Sequence, residues 1–300
     1  MIIHKIAGID LGSNSVRLLI TNVIDKGGEN PIFKKSSLTR LPIRLGDDAF
    51  EKGTIKKSTR DRLTLGMEAY ANIMKVHGVE KFRACATSAL RDSDNGKEII
   101  KHIKKKTGIE IELISGKEEA KIIFSSGMTD VMKDSDDTFL YIDVGGGSTE
   151  LTLFHKEEVK ASKSFKIGTI RLLKNQVAKD TWQQMESWIK EITQDMDQIM
   201  MVGSGGNINR TFKLSGQPMG SALEIDYIQN TFNELSECST EERIVKFDLN
   251  PDRADVITHA LRIYLSAMKW ARSSKMTVPK KGLADGMVRD LYKRTKSNKK

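Results

Sequence analysis

Asp143-Val-Gly-Gly-Gly-Ser-Thr-Glu150, preceded by Phe139-Leu-Tyr-Ile142 and followed by Leu151-Thr-Leu-Phe154, decides the fold. Two short runs rich in β-formers are joined by a glycine-serine loop, which reads as strand, tight loop, strand. The same pattern stands near the N-terminus. There Ile6-Ala-Gly-Ile9 leads into Asp10-Leu-Gly-Ser-Asn-Ser15, and the chain resumes as Val16-Arg-Leu-Leu-Ile20. Asp10 aligns with Asp143, Gly12 with Gly145 and Ser15 with Ser148, each 133 residues further on. A repeat at domain scale is the economical explanation, each copy opening on its own strand-loop-strand unit.

Working outward, helical periodicity is expected over 54–77, with Leu63, Met67, Ala71 and Met74 on one face, and again over 96–106. Strands are expected at 82–87 and 109–114. The second half repeats the alternation, with helices expected near 180–201, 222–237 and 252–273. Strands alternating with helices indicate α/β architecture with a mixed sheet in each copy. A chain of 300 residues carries two domains comfortably. The boundary is placed at 115–126, giving domains 1–120 and 121–300 with a basic tail at 293–300.

Composition narrows the class. Hydrophobic residues make up 38% and charged residues 30%, which suits a packed globular chain and excludes a disordered one. No apolar run approaches the ~20 residues needed to cross a bilayer. Lys5 and Asp10 interrupt the N-terminal apolar stretch, so no signal peptide is read there and a cytoplasmic location without a membrane partner is expected. Cys85 and Cys238 are too few and too far apart to frame the fold or hold zinc. The net charge of +9 is mostly local: residues 293–300 hold five bases, and without them 44 bases face 40 acids, or +4. With aromatics at 6% and no basic-aromatic interleaving, nucleic acid is not the expected partner. A mildly basic body still suits a polyanionic substrate.

The two loops carry the chemistry. Glycine-rich turns present successive backbone N–H groups in a concave nest that holds phosphate oxygens, and Ser and Thr add hydroxyl donors. The candidate phosphate-binding residues are Gly12, Ser13, Asn14 and Ser15 in the first loop, with Arg17 beyond it. In the second they are Gly145, Gly146, Gly147, Ser148 and Thr149. Neither loop is a P-loop or dinucleotide fingerprint, because no Gly-Lys-Ser follows and each leads into a strand. Two matched loops headed by Asp are expected to face each other across an interdomain cleft. Ser115-x-x-Glu118 before Ala120, Ile123 and Phe124 reads as a capping box, with Ser115 as N-cap and Glu118 reaching back. Glu119 falls in the same first turn, where the helix dipole favours a charged carboxylate.

Further segments complete a pattern. Asp10-Leu-Gly-Ser-Asn-Ser-Val-Arg17, Ala86-Thr-Ser-Ala-Leu-Arg91, Ser115-Gly-Lys-Glu-Glu119 and Asp143-Val-Gly-Gly-Gly-Ser-Thr-Glu150 occur in this order. Gly168-Thr-Ile-Arg171, Val202-Gly-Ser-Gly-Gly206 and Pro251-Asp-Arg253-Ala-Asp255 follow. In combination the chain resembles the exopolyphosphatase / guanosine pentaphosphate phosphohydrolase family over essentially its whole length, in a short two-domain form. The resemblance implies duplicated actin-like (ribonuclease H-like) ATPase-type domains, mixed sheets flanked by helices, and the active site in the cleft. It implies cleavage of terminal phosphate from inorganic polyphosphate or pppGpp with Mg²⁺, and leaves room for a homodimer.

By matching of motifs, the resemblance implies that Glu119 activates the attacking water. Asp143 and Glu150 would hold Mg²⁺, being hard oxygen ligands; their other reading is a turn-starting Asp and an outward strand carboxylate. Arg17 and Arg91 would neutralise charge on the transferred phosphoryl, where a rigid donor fork is useful, or else serve as ordinary ion-pair partners. One position departs from the pattern: Gly282-Leu-Ala284-Asp-Gly286 carries Ala where the family usually has Arg, leaving Lys280 or Lys281 as replacements. The five histidines share no ligand spacing, Cys85 reads as core, and Trp182 and Trp188 as packing. The alternatives to a phosphoanhydride hydrolase are a small-molecule kinase of the same superfamily and a non-catalytic regulator that binds polyphosphate or nucleotide.

Overall fold

In a computed structural model the described residues run from Met1 to Ser297, without 28–29, 127–137, 156–157 and 197–198. The chain divides into two compact units, Met1–Gly127 with Lys281–Lys300, and Met128–Lys280.

Unit 1 is built on a five-stranded sheet. Its strands are β1 (Ile2–Leu11), β2 (Val16–Asp25), β3 (Ile32–Leu41), β4 (Lys81–Ala86) and β5 (Ile111–Leu113), in the order β3-β2-β1-β4-β5. The first three form an antiparallel meander, and β4 and β5 join parallel. Ile6, Ala7 and Ile9 of β1 are all buried, so the central strand is covered on both faces and loses the polar alternation of a one-sided sheet. The helices are α1 (Leu45–Lys52), α2 (Lys57–His77), α3 (Ser88–Asp92), α4 (Gly96–Thr107) and α5 (Gly116–Phe124). On α2 the core stripe is Leu63, Met67, Tyr70 and Met74, with Tyr70 in the place expected of Ala71.

Unit 2 repeats the plan. Its strands are β6 (Thr138–Val144), β7 (Thr149–His155), β8 (Glu158–Phe165), β9 (Met200–Ser204), β10 (Ala222–Glu224) and β11 (Lys275–Thr277), in the order β10-β11-β9-β6-β7-β8. Read from β8, the sequence β8-β7-β6-β9-β11 has the strand directions of β3-β2-β1-β4-β5, with β10 added at the edge. The expected duplicated actin-like α/β fold is therefore present. Around this sheet lie α6 (Thr169–Leu173), α7 (Lys179–Thr193), α8 (Gly206–Leu214), α9 (Ile225–Glu237), α10 (Thr240–Lys246), α11 (Pro251–Ala254) and α12 (Ile257–Trp270). The centre of this core is α12, which buries Leu261, Ile263, Tyr264, Ala267 and Met268. Trp182 meets Trp270 edge-on at 6.1 Å and Trp188 meets Phe165 at 5.7 Å, the packing role expected of both.

Three expectations need correction. The helix expected over 180–201 ends at Thr193, and Met200 already belongs to β9. A boundary at residue 120 would cut α5, which continues to Phe124. The last segment also does not belong to the second domain: α13 (Leu283–Ser297) returns to unit 1 and packs on β1, β2, β4 and α5. Its Leu283, Met287, Val288 and Tyr292 are buried there. The approach is backbone-close. A β-carbon on Gly286 would collide with the carbonyl of Ile122, and one on Gly8 would lie 2.7 Å from the Ala284 carbonyl oxygen. Among the described residues no helix is long and apolar enough to cross a membrane.

Candidate active site

Both glycine loops are closed by the same hydrogen bond. Gly12 N–H donates to Ser15 O at 3.2 Å, and Gly145 N–H donates to Ser148 O at 2.9 Å. Each loop is then held from behind by the segment after the third strand of its meander. In unit 1, Arg44 N–H donates to Asn14 O and Gly46 N–H to Ser13 O. In unit 2, Thr169 N–H donates to Gly145 O, Ile170 and Arg171 N–H to Gly146 O, and Arg171 Nε to Gly147 O at 2.8 Å. A trans peptide points its N–H opposite to its C=O. With the carbonyls of 145, 146 and 147 turned onto α6, the N–H groups of Gly146, Gly147 and Ser148 are aimed the other way together, which is the geometry of an anion nest. The first loop does the same on a smaller scale through the Ser13 and Asn14 carbonyls. Gly168 is indispensable to this clamp, since a β-carbon there would run into Gly146.

The strands beside the loops set the charges. Asp10 stands directly opposite Arg17, and their side chains approach to 3.7 Å. Burial pushes the Asp10 carboxyl above the ordinary range and Arg17 pulls it back. At the matching step of unit 2, Asp143 stands directly opposite Glu150, so both side chains rise from the same face. Glu150 is buried, and its Oε1 accepts from Ser148 Oγ at 2.6 Å and from Ser164 Oγ at 3.0 Å. Asp143 Oδ2 accepts from Tyr141 at 3.3 Å and from Ser204 Oγ at 3.4 Å. These donors are all oxygen, which suits a hard cation such as Mg²⁺. Among the described residues no group of three His, Cys, Asp or Glu side chains is arranged for a metal. A cation here would thus be held by these two carboxylates with oxygens from substrate or water.

Ser115 caps α5 by accepting from Glu118 N–H at 3.2 Å. Glu118 does not complete the expected box: its carboxylate extends to within 3.5 Å of Arg83 Nη2, because a buried guanidinium is a stronger attractor than one backbone N–H. Glu119 is half-buried on the first turn of α5. Arg91 donates to Ile114 O at 3.0 Å, just before the cap, and pairs with Asp92 at 3.2 Å. It therefore holds the entry to the Glu119 helix, whatever else it contacts. Arg83, in mid-strand β4, is a residue the sequence did not single out. Only 7% exposed, it binds Glu112 at 2.7 Å and Asp290 of α13 at 3.0 Å.

In unit 2 the Gly203-Ser-Gly-Gly206 turn is a close approach. Gly205 has φ 120°, and a β-carbon there would lie 3.2 Å from Asp143 Oδ1. The Tyr264 hydroxyl donates to Ser204 O and fixes the turn. Lys280, one candidate replacement for the missing Arg, lies over the Phe212 ring at 4.9 Å. The histidines are dispersed, His4 on Glu80 and His155 on Thr138. Burial drives the Cys85 thiol up to about 12, as suits a core residue.

Comparison with known proteins places these features. The chain is 35% identical over 202 residues to a bifunctional 3-dehydroquinate synthase/phosphatase of Fusobacterium nucleatum, covering 64% of this chain and 30% of that protein. It is 29% identical over 176 residues to exopolyphosphatase 1 of Mycobacterium tuberculosis, covering 59% of this chain and 50% of the other. It thus spans half or less of the length of these curated relatives. The crystal structure of an exopolyphosphatase from Cytophaga hutchinsonii superposes with a TM-score of 0.83 at 23% identity over 98% of both chains, a likeness of fold. The model of the Ppx/GppA phosphatase family matches residues 24–295. With the duplicated fold and the paired glycine loops, that match makes the chain a member of the Ppx/GppA phosphatase family.

Proposed function

We propose that this protein hydrolyses the terminal phosphoanhydride of a condensed phosphate, with inorganic polyphosphate as substrate and release of orthophosphate. The observation that carries the reading is the second loop, whose Gly145, Gly146 and Gly147 carbonyls are drawn onto α6 so that the N–H groups that follow them serve an anion. Family membership supports it, as do the exopolyphosphatase relatives. The loop N–H groups and Arg17 hold phosphate oxygens, and Arg91 takes part of the charge on the transferred phosphoryl. Glu119 accepts a proton from water as the water oxygen bonds to phosphorus and the bridging P–O bond breaks, the shortened chain leaving as a phosphate anion. Asp143 and Glu150 would hold Mg²⁺, which supplies positive charge to substrate oxygens when bound. Most of such catalysis is positioning and electrostatics.

The terminal phosphoanhydride of pppGpp has the same chemistry, and we propose it as a second substrate on the strength of the family. Phosphate release from polyphosphate, pppGpp and ATP with Mg²⁺, measured side by side, tests the reading. Release from polyphosphate without any acceptor is expected. ATP consumption that requires an acceptor would mark a kinase, and tight binding without release would mark a regulator.

A further inference from the structure

Strands β1 and β4 run parallel and end in register, with Leu11 beside Ala86. Two residues beyond that step each chain segment carries a serine, Ser13 in the first loop and Ser88 at the start of α3. Their Oγ atoms lie 3.0 Å apart, and each residue is only 3% exposed. The backbone fixes the pair from both sides. Thr87 N–H donates to Leu11 O at 3.2 Å, and Gly46 N–H donates to Ser13 O at 2.8 Å. Ser88 is not among the phosphate-binding candidates read from the sequence.

Counting hydrogens shows what the pair still has to give. Each hydroxyl carries one hydrogen, and a bond between two hydroxyls uses only one of the two. Among the described residues neither Ser13 nor Ser88 makes a second side-chain hydrogen bond, so one O–H of the pair has no protein acceptor. Buried hydroxyls elsewhere end on an acceptor: Thr149 on Ile167 O, Thr193 on Ile189 O, and Ser148 on Glu150 Oε1. Leaving a buried donor unsatisfied is costly, so a fold that keeps one keeps it for a partner from outside. The place agrees, since ligands of α/β sheets bind beyond the carboxyl ends of parallel strands.

We propose that Ser13 and Ser88 act as one donor, delivering the remaining hydroxyl hydrogen to a phosphoryl oxygen of the condensed phosphate, an assignment that rests on the hydrolase reading above. One serine supplies the hydrogen and the other fixes its direction. Ser88 thereby extends the anion site from the first loop to α3, the helix that bears Arg91. An anionic oxygen is the acceptor that suits such a donor, because a hydrogen bond to a charged partner is about twice as strong as a neutral one.

The test is the affinity for tripolyphosphate without Mg²⁺, by calorimetry, for wild type, Ser88→Ala, the double variant Ser13→Ala/Ser88→Ala, and Ser162→Ala. Ser162 also belongs to a hydroxyl pair, with Thr152 at 3.0 Å, but it is exposed and serves as the control. The double variant should bind ~10-fold more weakly, the scale of a hydrogen bond to a charged group. Ser88→Ala should cost at least about threefold, because a Ser13 hydroxyl without its partner turns among three staggered wells. Ser162→Ala should bind like wild type. Replacing both partners of a hydrogen bond by apolar groups is nearly neutral for stability, so the double variant should melt near the wild-type temperature. Wild-type affinity in Ser88→Ala or in the double variant would overturn the assignment. A marked fall in melting temperature or a failure to fold in the double variant would overturn it too, since both hydrogens would then be satisfied within the protein. Phosphate release from polyphosphate is read separately on wild type. Serine-dependent binding without release removes the hydrolase and keeps the donor, whereas release with unaltered binding in the double variant does the reverse.

Discussion

Asp143 and Glu150 are direct partners in the β6–β7 ladder, two acidic residues side by side next to the second glycine loop. Its counterpart in unit 1 pairs Asp10 with Arg17. The duplication has therefore kept the backbone and reversed one charge. Asp143→Asn and Glu150→Gln should each raise the Mg²⁺ concentration for half-maximal activity by ~10-fold or more. Activity titrated against Mg²⁺ checks this, and superimposable curves for both variants and wild type would withdraw the metal assignment.

Glu119→Gln keeps the side-chain volume and the capped first turn of α5 but cannot take a proton. Turnover should fall by at least ~10²-fold, with polyphosphate affinity and thermal unfolding near wild type. A variant that turns over normally would remove Glu119 from the proton transfer.

Gly168→Ala tests the clamp behind the second loop. The added methyl meets the Gly146 backbone, so the loop must move or α6 must shift, at a cost of about 1–3 kcal/mol. A fall in melting temperature should accompany a larger fall in kcat/KM. Unchanged kinetics in a destabilised protein would show that the loop carbonyls need no such anchor.

His259 on α12 gives a pH dependence. Burial, followed by Arg262 and Arg243, lowers its pKa below the ordinary value of 6.5. Below about pH 6.5 the unfolded chain gains a proton that the folded one refuses, so this contribution is complete above that pH and is lost as pH falls. The stability difference between wild type and His259→Gln, from urea unfolding, should therefore shrink between pH 7.5 and pH 5. A constant difference across that range would remove His259 as its source.

The strand-loop-strand units were legible because their signal is local: apolar runs, glycine, and an Asp at a fixed offset. The third strand of each meander was not. Ile32–Leu41 and Glu158–Phe165 lie on sheet edges and expose many polar side chains, so apolar alternation is faint there. The loop clamp leaves no mark in the sequence because its acceptors are main-chain carbonyls, which no residue type announces. Arg171 came in only as part of a resembling motif, although its Nε holds Gly147. The Glu118 capping box fails for a related reason, as its partner Arg83 lies 35 residues earlier in the chain. The return of α13 to unit 1 is likewise a long-range choice: the sequence there reads as a basic tail at 293–300 and announces neither the helix nor the sheet that receives it.

That return also imposes an order of events on synthesis. Unit 2 is one uninterrupted segment, complete once residue 280 has emerged, while unit 1 lacks the helix that covers its central strand until the last residues follow. Domains fold as units while the chain is still being made, yet here the half begun first is the half finished last. Until then the face of β1 and its neighbours that α13 covers is exposed apolar surface.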